Sequence, residues 1–416
     1  MRRRTLLAGA AALLAGGTAY ELDRRHLLQE RDADPDWQEL TIPLQGRPTE
    51  VFSADGTRLH VEVFGADDAP TILLIHGWLE SIDLWHHQIS ELSRDFRVVA
   101  YELRGHGRSG QPRNGRYDYE VLADDMQAVL DAMLPPGEVC LAAGHSLGGM
   151  TIVSWAGRHP ESVHVRLAGV ALLNTGMSDF VRYATALGNR TGYHVHHAAY
   201  QALFFTPVAW PRQFDRVSYF LTKRMALGPS ASIGAVAACH RMFTRTHHPA
   251  RSGFGRMFLT LDLMPAVAKL TAPAAVIGGR LDRLLPPWYS ERLASALPDL
   301  VEYVDLAESG HMSPLEAPDR VTMHIGRLAR ACLLVRPVTL EGRAFASAGI
   351  EDPPSGEEAA AAGDGAATGA VAVDGAPVIA AGDAEEKPVS KRPRLRRRRR
   401  GSPPVNTEVE QNPASR

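Results

Sequence analysis

The sequence predicts an α/β fold: a mostly parallel sheet with helices on both faces. Short apolar runs without polar alternation, as in 71–77 and 138–146, are typical of strands that are buried on both faces. Segments with helical spacing of apolar residues, such as 119–134, separate these runs. Such alternation indicates parallel strands, because each helix returns the chain to the edge where the previous strand began.

The predicted elements follow in a regular order. Residues 51–65 contain two short β runs around Asp55-Gly56, which indicates a hairpin. The helix over 119–134 ends before Pro135-Pro136, and a second helix follows Ser146 and runs to Pro160. The apolar runs that predict buried strands are 71–77, 96–103, 138–146, 167–175, 272–279 and 300–306.

The alternation breaks between residues 177 and 263. This interval is long, aromatic in the stretch 200–214, and helical in periodicity without clear β runs. We interpret it as an inserted, mostly helical cap. The core would then consist of two parts, 49–176 and 264–336.

The N-terminal residues 1–20 have arginines first and then a weakly apolar stretch, as a signal peptide does. The stretch is shorter than the roughly 20 residues of a spanning helix. RRRTLL resembles a twin-arginine export signal, so we expect export or, without cleavage, a membrane anchor. An ordinary amphipathic helix is the alternative. Residues 21–48 are expected to be a linker.

The C-terminal residues 337–416 differ from the core in composition. Residues 349–388 are rich in Ala, Gly, Pro, Asp and Glu, and such a segment buries too little apolar surface to fold. A polybasic stretch follows at 391–400. It fits acidic lipid headgroups, nucleic acid or a solvated tail. Since the N-terminus resembles an export signal, a nuclear-localisation role is disfavoured.

The composition and the spacing of cysteines and histidines argue against several classes of function. The formal net charge of the 416 residues is −2, so the whole chain is not expected to bind nucleic acid. The three cysteines show no CxxC spacing, which argues against a zinc knuckle or redox motif. Histidines at 194, 196 and 197 have no carboxylate partners at useful spacing, so no metal site is expected there.

Polar residues follow several predicted strands at their carboxyl ends, where open parallel sheets gather reactive groups. Ser146, Asp282 and His311 occur there in this order. A serine hydroxyl needs a base to become a nucleophile, and His311 is the candidate base. Asp282 would orient the imidazole and stabilise its cation, with Asp305 and Glu308 as alternative orienting residues.

The turn Gly144-His145-Ser146-Leu147-Gly148 fits a nucleophile elbow. Small residues let a strand and a helix approach closely while the serine takes a strained backbone conformation. The amide of Leu147, after the nucleophile, is one candidate donor to the oxyanion of a tetrahedral intermediate. The amide of Trp78, after the first buried strand, is the second.

These motifs, in this order, resemble the α/β-hydrolase fold superfamily, in its capped serine hydrolase branch of esterases and lipases. The resemblance covers about residues 50–336 and implies neither a metal nor an organic cofactor. Glu102 stands where the family often has Asp, with little expected consequence. The motifs are HGW at 76–78, RGHGRS at 104–109, GHSLGG at 144–149, GGRLDRLLP at 278–286 and GHMSPLEAP at 310–318.

The resemblance also separates this chain from relatives with other chemistry. Epoxide hydrolases and haloalkane dehalogenases of this fold use an Asp nucleophile, whereas the elbow here has Ser146. His76 is expected to hold the oxyanion loop by hydrogen bonds, and His145 to be a packing residue. Arg104 and His106 are expected to order their loop.

The leading functional hypothesis is hydrolysis of carboxylic esters with apolar acyl groups, a small-molecule reaction. The same triad would also serve acyl transfer, carbon–carbon bond hydrolysis or cofactor-free perhydrolysis. A third hypothesis is a non-catalytic binding protein. A membrane surface is an expected partner, through the N-terminal segment or the polybasic tail.

Overall fold

The computed structural model describes residues 2–180, 201, 205 and 210–334, with side chains from Gly17 onward. Its strands form one eight-stranded sheet in the order β1-β2-β4-β3-β5-β6-β7-β8. The strands are β1 (Arg47–Phe52), β2 (Arg58–Phe64), β3 (Thr71–Ile75), β4 (Arg97–Tyr101), β5 (Cys140–His145), β6 (Leu167–Leu173), β7 (Ala274–Gly279) and β8 (Leu300–Leu306).

The sheet is mostly parallel, as predicted. β1 and β2 form the expected antiparallel hairpin, and β2 also pairs antiparallel with β4. From β4 to β8 every neighbouring pair is parallel. Strands β3 and β5 are buried along their whole length. The carboxyl ends of the parallel strands therefore meet at one edge.

Helices connect the strands. The α-helices within the described residues are α1 (Arg2–Asp32), α2 (Pro35–Leu40), α3 (His86–Leu92), α4 (Tyr119–Met133), α5 (Leu147–Arg158), α6 (Val163–Arg166), α7 (Arg216–Ala226), α8 (Ile233–Arg245), α9 (His248–Met257), α10 (Met264–Val267), α11 (Trp288–Ala296), α12 (Ser313–Glu316) and α13 (Pro318–Ala329).

Local sequence explains where the central helices begin and end. The side chain of Asp118 caps α4 by accepting the amide of Val121, as N-cap residues do. The helix ends at Met133, just before the prolines at 135 and 136, which cannot continue it. Helix α5 follows Ser146 directly, without a side-chain cap.

In the interval 177–263, where a helical cap was expected, part of the described chain is helical. Helices α7, α8 and α9 lie between β6 and β7 in sequence. Their buried faces carry apolar residues, among them Val236 and Phe254. Most of the stretch 181–209, with the histidines at 194, 196 and 197, lies outside the described residues.

The segment 21–48 differs from the expected linker. It includes the last part of α1 and all of α2, and the side chains of Leu27 and Leu40 are buried. The Trp37 ring has the Arg31 guanidinium 4.7 Å from its centroid and that of Arg241 5.3 Å away. These apolar and cation–π contacts order the segment against α8.

The two ends of the chain bear on the expected localisation. Within the described residues, no helix combines the length and apolar character needed to cross a membrane. The expected tail at 337–416, including the polybasic stretch at 391–400, lies outside the described residues.

Candidate active site

Ser146 occupies a sharp turn between β5 and α5. Its backbone angles are φ 51° and ψ −113°, a conformation that costs free energy for any residue other than glycine. Two hydrogen bonds hold the turn: the Ser146 amide donates to the carbonyl of Leu173 (2.9 Å), and the Thr175 hydroxyl donates to the Ser146 carbonyl (2.7 Å). These bonds, made to the end of β6 and to Thr175 just after it, stabilise the strained conformation of Ser146.

The glycines beside the serine are required by close backbone approach. A Cβ atom on Gly148 would collide with the carbonyl group of Ile75 at the end of β3. A Cβ atom on Gly144 would lie 2.5 Å from the carbonyl carbon of Gly148. Strand and helix can meet at this angle only without these side chains, as the elbow prediction requires.

Asp282 and His311 lie in hydrogen-bond contact. The Nδ1 atom of His311 is 2.7 Å from Oδ2 of Asp282, and both side chains are buried. The other carboxylate oxygen, Oδ1, accepts the amides of Leu284 and Leu285, each at 2.8 Å. The carboxylate is therefore fixed in position, and its bond to Nδ1 leaves Nε2 of His311 as the atom that can accept a proton.

Asn174 is a polar residue of this site that the sequence reasoning did not find. Its Nδ2 atom donates to Oδ2 of Asp282 (3.1 Å) and to the Gly310 carbonyl (3.0 Å). The Ser313 hydroxyl donates to its Oδ1 atom. The available signal was its place directly after the apolar run of β6, the rule that identified the other site residues.

The environment of His311 raises its pKa above the ordinary value. Burial alone acts to lower the pKa, but the negative charge and hydrogen bond of Asp282 outweigh burial, and Glu80 and Glu316 add to this effect. The backbone of His311 is also held, since its amide donates to the Ala226 carbonyl at 2.9 Å. Ala226 is the last residue of α7, so the cap contacts the histidine loop directly.

Glu316 organises the same loop. Its carboxylate accepts backbone amides from Gly310 and Met312, each at 3.0 Å, and from Gly228 of the cap at 2.7 Å. Burial raises the pKa of Glu316, and these three bonds only partly oppose the effect. The carboxyl group thus links the loop of His311 to the segment between α7 and α8.

The loop after β3 is where the second oxyanion donor was predicted. Leu79 has φ 68°, and its amide donates to Nε2 of His106 at 3.2 Å. The Gly77 amide donates to the carboxylate of Glu80. Side chains therefore engage the amides on both sides of Trp78 and fix that peptide segment, while Leu147 begins α5 beside the serine.

His76 and His106 each pair one ring nitrogen with a backbone carbonyl and the other with a backbone amide. In His76, Nδ1 donates to the Gly77 carbonyl (2.7 Å) and Nε2 accepts the Leu103 amide (3.0 Å). In His106, Nδ1 faces the Arg104 carbonyl at 3.0 Å. Burial, followed by the nearby His76, lowers the pKa of His106 to about 3. These hydrogen bonds fit the loop-ordering role expected for both residues.

His145 was expected to be a packing residue, but both of its ring nitrogens also take part in hydrogen bonds. Its Nδ1 atom lies 3.0 Å from Oε2 of Glu80, and its Nε2 atom lies 2.7 Å from the carbonyl oxygen of His311. Burial acts to raise the pKa of Glu80, but the charge and hydrogen bond of His145 outweigh it and lower the pKa. Glu80, which sequence reasoning missed, thus connects the loop after β3, through His145, to the backbone of His311.

Arg104 anchors its loop through a buried ion pair, in line with the expectation that it orders the loop. The guanidinium is fully buried and makes a two-point contact with Asp125, at 2.7 Å (Nε) and 2.5 Å (Nη2). It also bonds the carboxylate of Asp55 at 2.9 Å. The paired charges compensate the cost of burying them.

Asp305, one of the alternative orienting residues, and one cluster of possible metal ligands have other partners. Asp305 accepts a hydrogen bond from Arg280 (2.7 Å) rather than from His311. Within the described residues, Glu80, His145 and His311 lie close enough to hold an ion, but the nitrogens of His145 and Nδ1 of His311 already take part in hydrogen bonds. Hydrogen bonding, rather than ligation, accounts for this cluster.

Comparisons with known proteins agree with this geometry. The AB hydrolase superfamily protein YisY of Bacillus subtilis (strain 168) is 26% identical over 289 residues, which are 66% of this chain and 98% of that protein. The bifunctional esterase/perhydrolase DCH of Acinetobacter calcoaceticus is 40% identical over 112 residues, 27% of this chain and 40% of that protein.

The fold comparison agrees as well. The crystal structure of the enol-lactonase from Burkholderia xenovorans LB400 is similar with a TM-score of 0.51 and 28% identity, covering 67% of this chain and 99% of that one. A family model described as alpha/beta hydrolase fold matches residues 70–318, which include the serine turn, the acid loop and the histidine loop. By this match and by its sheet, the chain belongs to the alpha/beta hydrolase fold family.

Proposed function

We propose that the protein is a serine hydrolase that cleaves carboxylic esters with apolar acyl groups. The observation that carries the proposal is the 2.7 Å contact of Asp282 with His311, on a loop bonded to the residue before Ser146. This arrangement supplies an oriented base on a loop that is bonded to the strained serine turn.

The proposed reaction has two halves. Nε2 of His311 takes the hydroxyl proton of Ser146 while Oγ attacks the ester carbonyl, and the proton then passes to the departing alcohol. Water then attacks the acyl-enzyme while His311 takes one of its protons. The bond between the acyl carbon and Oγ breaks, the acid leaves, and His311 returns the proton to Oγ of Ser146. In both halves the amides of Trp78 and Leu147 donate to the oxyanion.

The apolar character of the acyl group is inferred from aromatic side chains beside the oxyanion loop. The Trp78 ring packs edge-on against Phe258, with centroids 5.1 Å apart, and Phe180 stacks on Phe258 at 4.5 Å. An apolar cluster next to the loop after β3 would favour hydrocarbon groups over charged ones. The similar protein from Burkholderia xenovorans LB400 is named an enol-lactonase, and a lactone is a cyclic ester.

A second candidate is acyl transfer to an acceptor other than water, including peroxide. The similarity to the esterase/perhydrolase DCH, though limited to 112 residues, is the observation in its favour. Carbon–carbon bond hydrolysis with the same triad, or a binding role, would leave ester substrates intact. Product analysis with water, alcohol or hydrogen peroxide as acceptor separates these reactions.

The test is the initial rate on nitrophenyl esters of graded acyl length, with wild type beside Ser146→Ala. Ser154→Ala is the matched control, since Ser154 is also buried and lies on α5. We expect hydrolysis by wild type and control, a loss of at least about 10³-fold in Ser146→Ala, and an optimum at a hydrocarbon acyl group. Activity retained by Ser146→Ala contradicts the mechanism.

We further propose that the protein is exported or membrane-associated, because of the arginines and the apolar stretch in residues 1–20. If the segment stays as an anchor, its arginines face the cytoplasm and the catalytic part lies outside. Cell fractionation with an antibody to the catalytic part tests this proposal. A full-length protein found only in the cytosol contradicts it.

A further inference from the structure

The carboxylate of Glu316 collects backbone amides from two separate parts of the chain. Its Oε2 atom accepts the amides of Gly228 (2.7 Å) and Gly310 (3.0 Å), and its Oε1 atom accepts the amide of Met312 (3.0 Å). Gly310 and Met312 are the residues directly before and after His311. One carboxylate therefore holds the backbone of the candidate base on both of its sides.

The third amide, that of Gly228, belongs to the segment that follows α7 in the cap. This segment contacts the histidine loop a second time, because the His311 amide donates to the Ala226 carbonyl at 2.9 Å. The two backbones are close here, since a Cβ atom added to Gly310 would lie 2.5 Å from the nitrogen of Gly228. The cap segment and the loop of the base are therefore packed together, with the Glu316 carboxylate bonded to both.

The charge of this carboxylate also acts on the base. Burial raises the pKa of Glu316, and the three amide bonds only partly oppose this effect. Burial acts to lower the pKa of His311, but the charge and hydrogen bond of Asp282 outweigh it. The charges of Glu80 and Glu316 raise the pKa of His311 further. A further titratable group beside this base is His145, with its ring centroid 5.0 Å away.

We propose that Glu316 is a positioning residue for His311, which holds the base through the amides on both of its sides and seats the cap segment on the same carboxylate. This inference rests on the proposed ester hydrolysis, because it assigns Glu316 a part in that reaction. A side chain that loses these bonds, or a displaced cap segment, misplaces Nε2 of His311 relative to Ser146. A misplacement of about 1 Å can lower a rate about 10²-fold.

The experiment compares wild type with two variants that disturb this contact in different ways. Glu316→Gln keeps the length of the side chain but replaces one acceptor oxygen by an NH₂ group, which cannot accept a backbone amide. Gly228→Ala leaves Glu316 intact and adds a Cβ atom 2.8 Å from the carbonyl oxygen of Glu308, which pushes the cap segment away from the loop. The control Asp319→Asn removes an exposed negative charge at the start of α13. Circular dichroism and thermal unfolding establish which variants are folded.

Two kinetic readouts separate positioning from the proposed function. The first is kcat and KM on a nitrophenyl ester, with kcat expressed per reactive serine. The second is the rate constant for labelling of Ser146 by a fluorophosphonate, which needs an activated serine but no ester hydrolysis. A wild-type protein that is labelled but cleaves no ester contradicts the proposed function, and the labelling rates of the variants then decide on Glu316. A wild-type protein that is neither labelled nor active overturns both proposals.

We expect Glu316→Gln and Gly228→Ala to lower the labelling rate and kcat about 10- to 100-fold, and Asp319→Asn to match wild type. In Glu316→Gln, KM should change little, because the loss falls on the chemical step. The acid limb of kcat/KM should also move to lower pH in this variant, since the His311 cation loses a neighbouring negative charge. Wild-type rates in either folded variant overturn the proposal, and Gly228→Ala decides if Glu316→Gln does not fold.

Discussion

Nε2 of His145 lies 2.7 Å from the carbonyl oxygen of His311, while its Nδ1 lies 3.0 Å from the carboxylate of Glu80. A backbone carbonyl can only accept a hydrogen bond, so Nε2 of His145 donates to the carbonyl of His311. The residue before the candidate nucleophile therefore ties the backbone of the candidate base to the oxyanion loop.

The first prediction concerns Glu80→Gln. The amide keeps the size of the side chain but removes the carboxylate charge that faces Nδ1 of His145 and the Gly77 amide. The loop of Trp78 and the carbonyl of His311 therefore lose their fixed positions. We expect kcat on a nitrophenyl ester to fall about 10- to 100-fold with little change in KM, since a small misplacement has effects of that order.

The measurement is kcat per reactive serine, counted by titration with a fluorophosphonate. This separates misplacement from simple loss of folded enzyme. Glu302→Gln is the control, because Glu302 pairs with His324 and Arg327 at β8, apart from the triad. An unchanged kcat in Glu80→Gln, with only a lower melting temperature, would show that the pair serves stability alone.

The second prediction is the pH dependence of kcat/KM. The candidate base must be neutral to take the serine proton, and the pKa of His311 is raised above its ordinary value. Activity should therefore fall as pH decreases through the raised pKa, with the midpoint of this acid limb above that of an ordinary histidine. A rate profile of wild type between pH 5 and 9, spanning about two units on either side of neutrality, measures the midpoint. A midpoint below the ordinary histidine value contradicts the prediction.

The third prediction is that Asp282→Asn lowers kcat by roughly 10³- to 10⁴-fold while the protein stays folded, the size of effect known for loss of the triad carboxylate. The Asn side chain can keep the bonds from Leu284 and Leu285 but cannot hold the imidazole of His311 in the same way. Steady-state kinetics measures the loss. The control Asp305→Asn changes only the contact with Arg280, so its kcat should stay within about threefold of the wild-type value. A large loss of kcat in this control would instead favour Asp305 as the orienting residue.

The fourth prediction concerns stability. Arg104→Leu leaves Asp125 buried without its partner, and breaking a buried pair costs about 3–5 kcal/mol in the free energy of unfolding. Arg158→Leu breaks the exposed contact of Arg158 with Asp124, where the cost should stay below about 1 kcal/mol. Chemical denaturation of the two variants beside wild type measures both. Similar losses in the free energy of unfolding for the two variants would show that the buried ion pair contributes no more to stability than the exposed one.

Local pattern was sufficient for most of the fold. The six apolar runs predicted from the sequence correspond to β3–β8, and the predicted hairpin at Asp55-Gly56 is the β1–β2 pair. The helix predicted over 119–134 ends within one residue of its observed end, Met133. These predictions succeed because buried strands and proline-terminated helices are determined by nearby residues.

The same reasoning located the candidate triad but not the residues that support it. Ser146, Asp282 and His311 each follow a strand, so chain order alone identifies them, and their catalytic roles stay predictions. Glu80 and Asn174 bond partners that are 65 and 108 residues away in sequence. No local pattern signals such a pairing.

The sequence by itself determined the alternation of strands and helices, the serine turn with its glycines, and the order of the candidate catalytic residues, because these depend on neighbouring residues and on the geometry of a parallel sheet. Only the tertiary structure decided that residues 21–40 are packed helix rather than linker and that His145 joins Glu80 to His311. Those features depend on side chains that meet across the fold, where burial makes each hydrogen bond or ion pair selective for its partner.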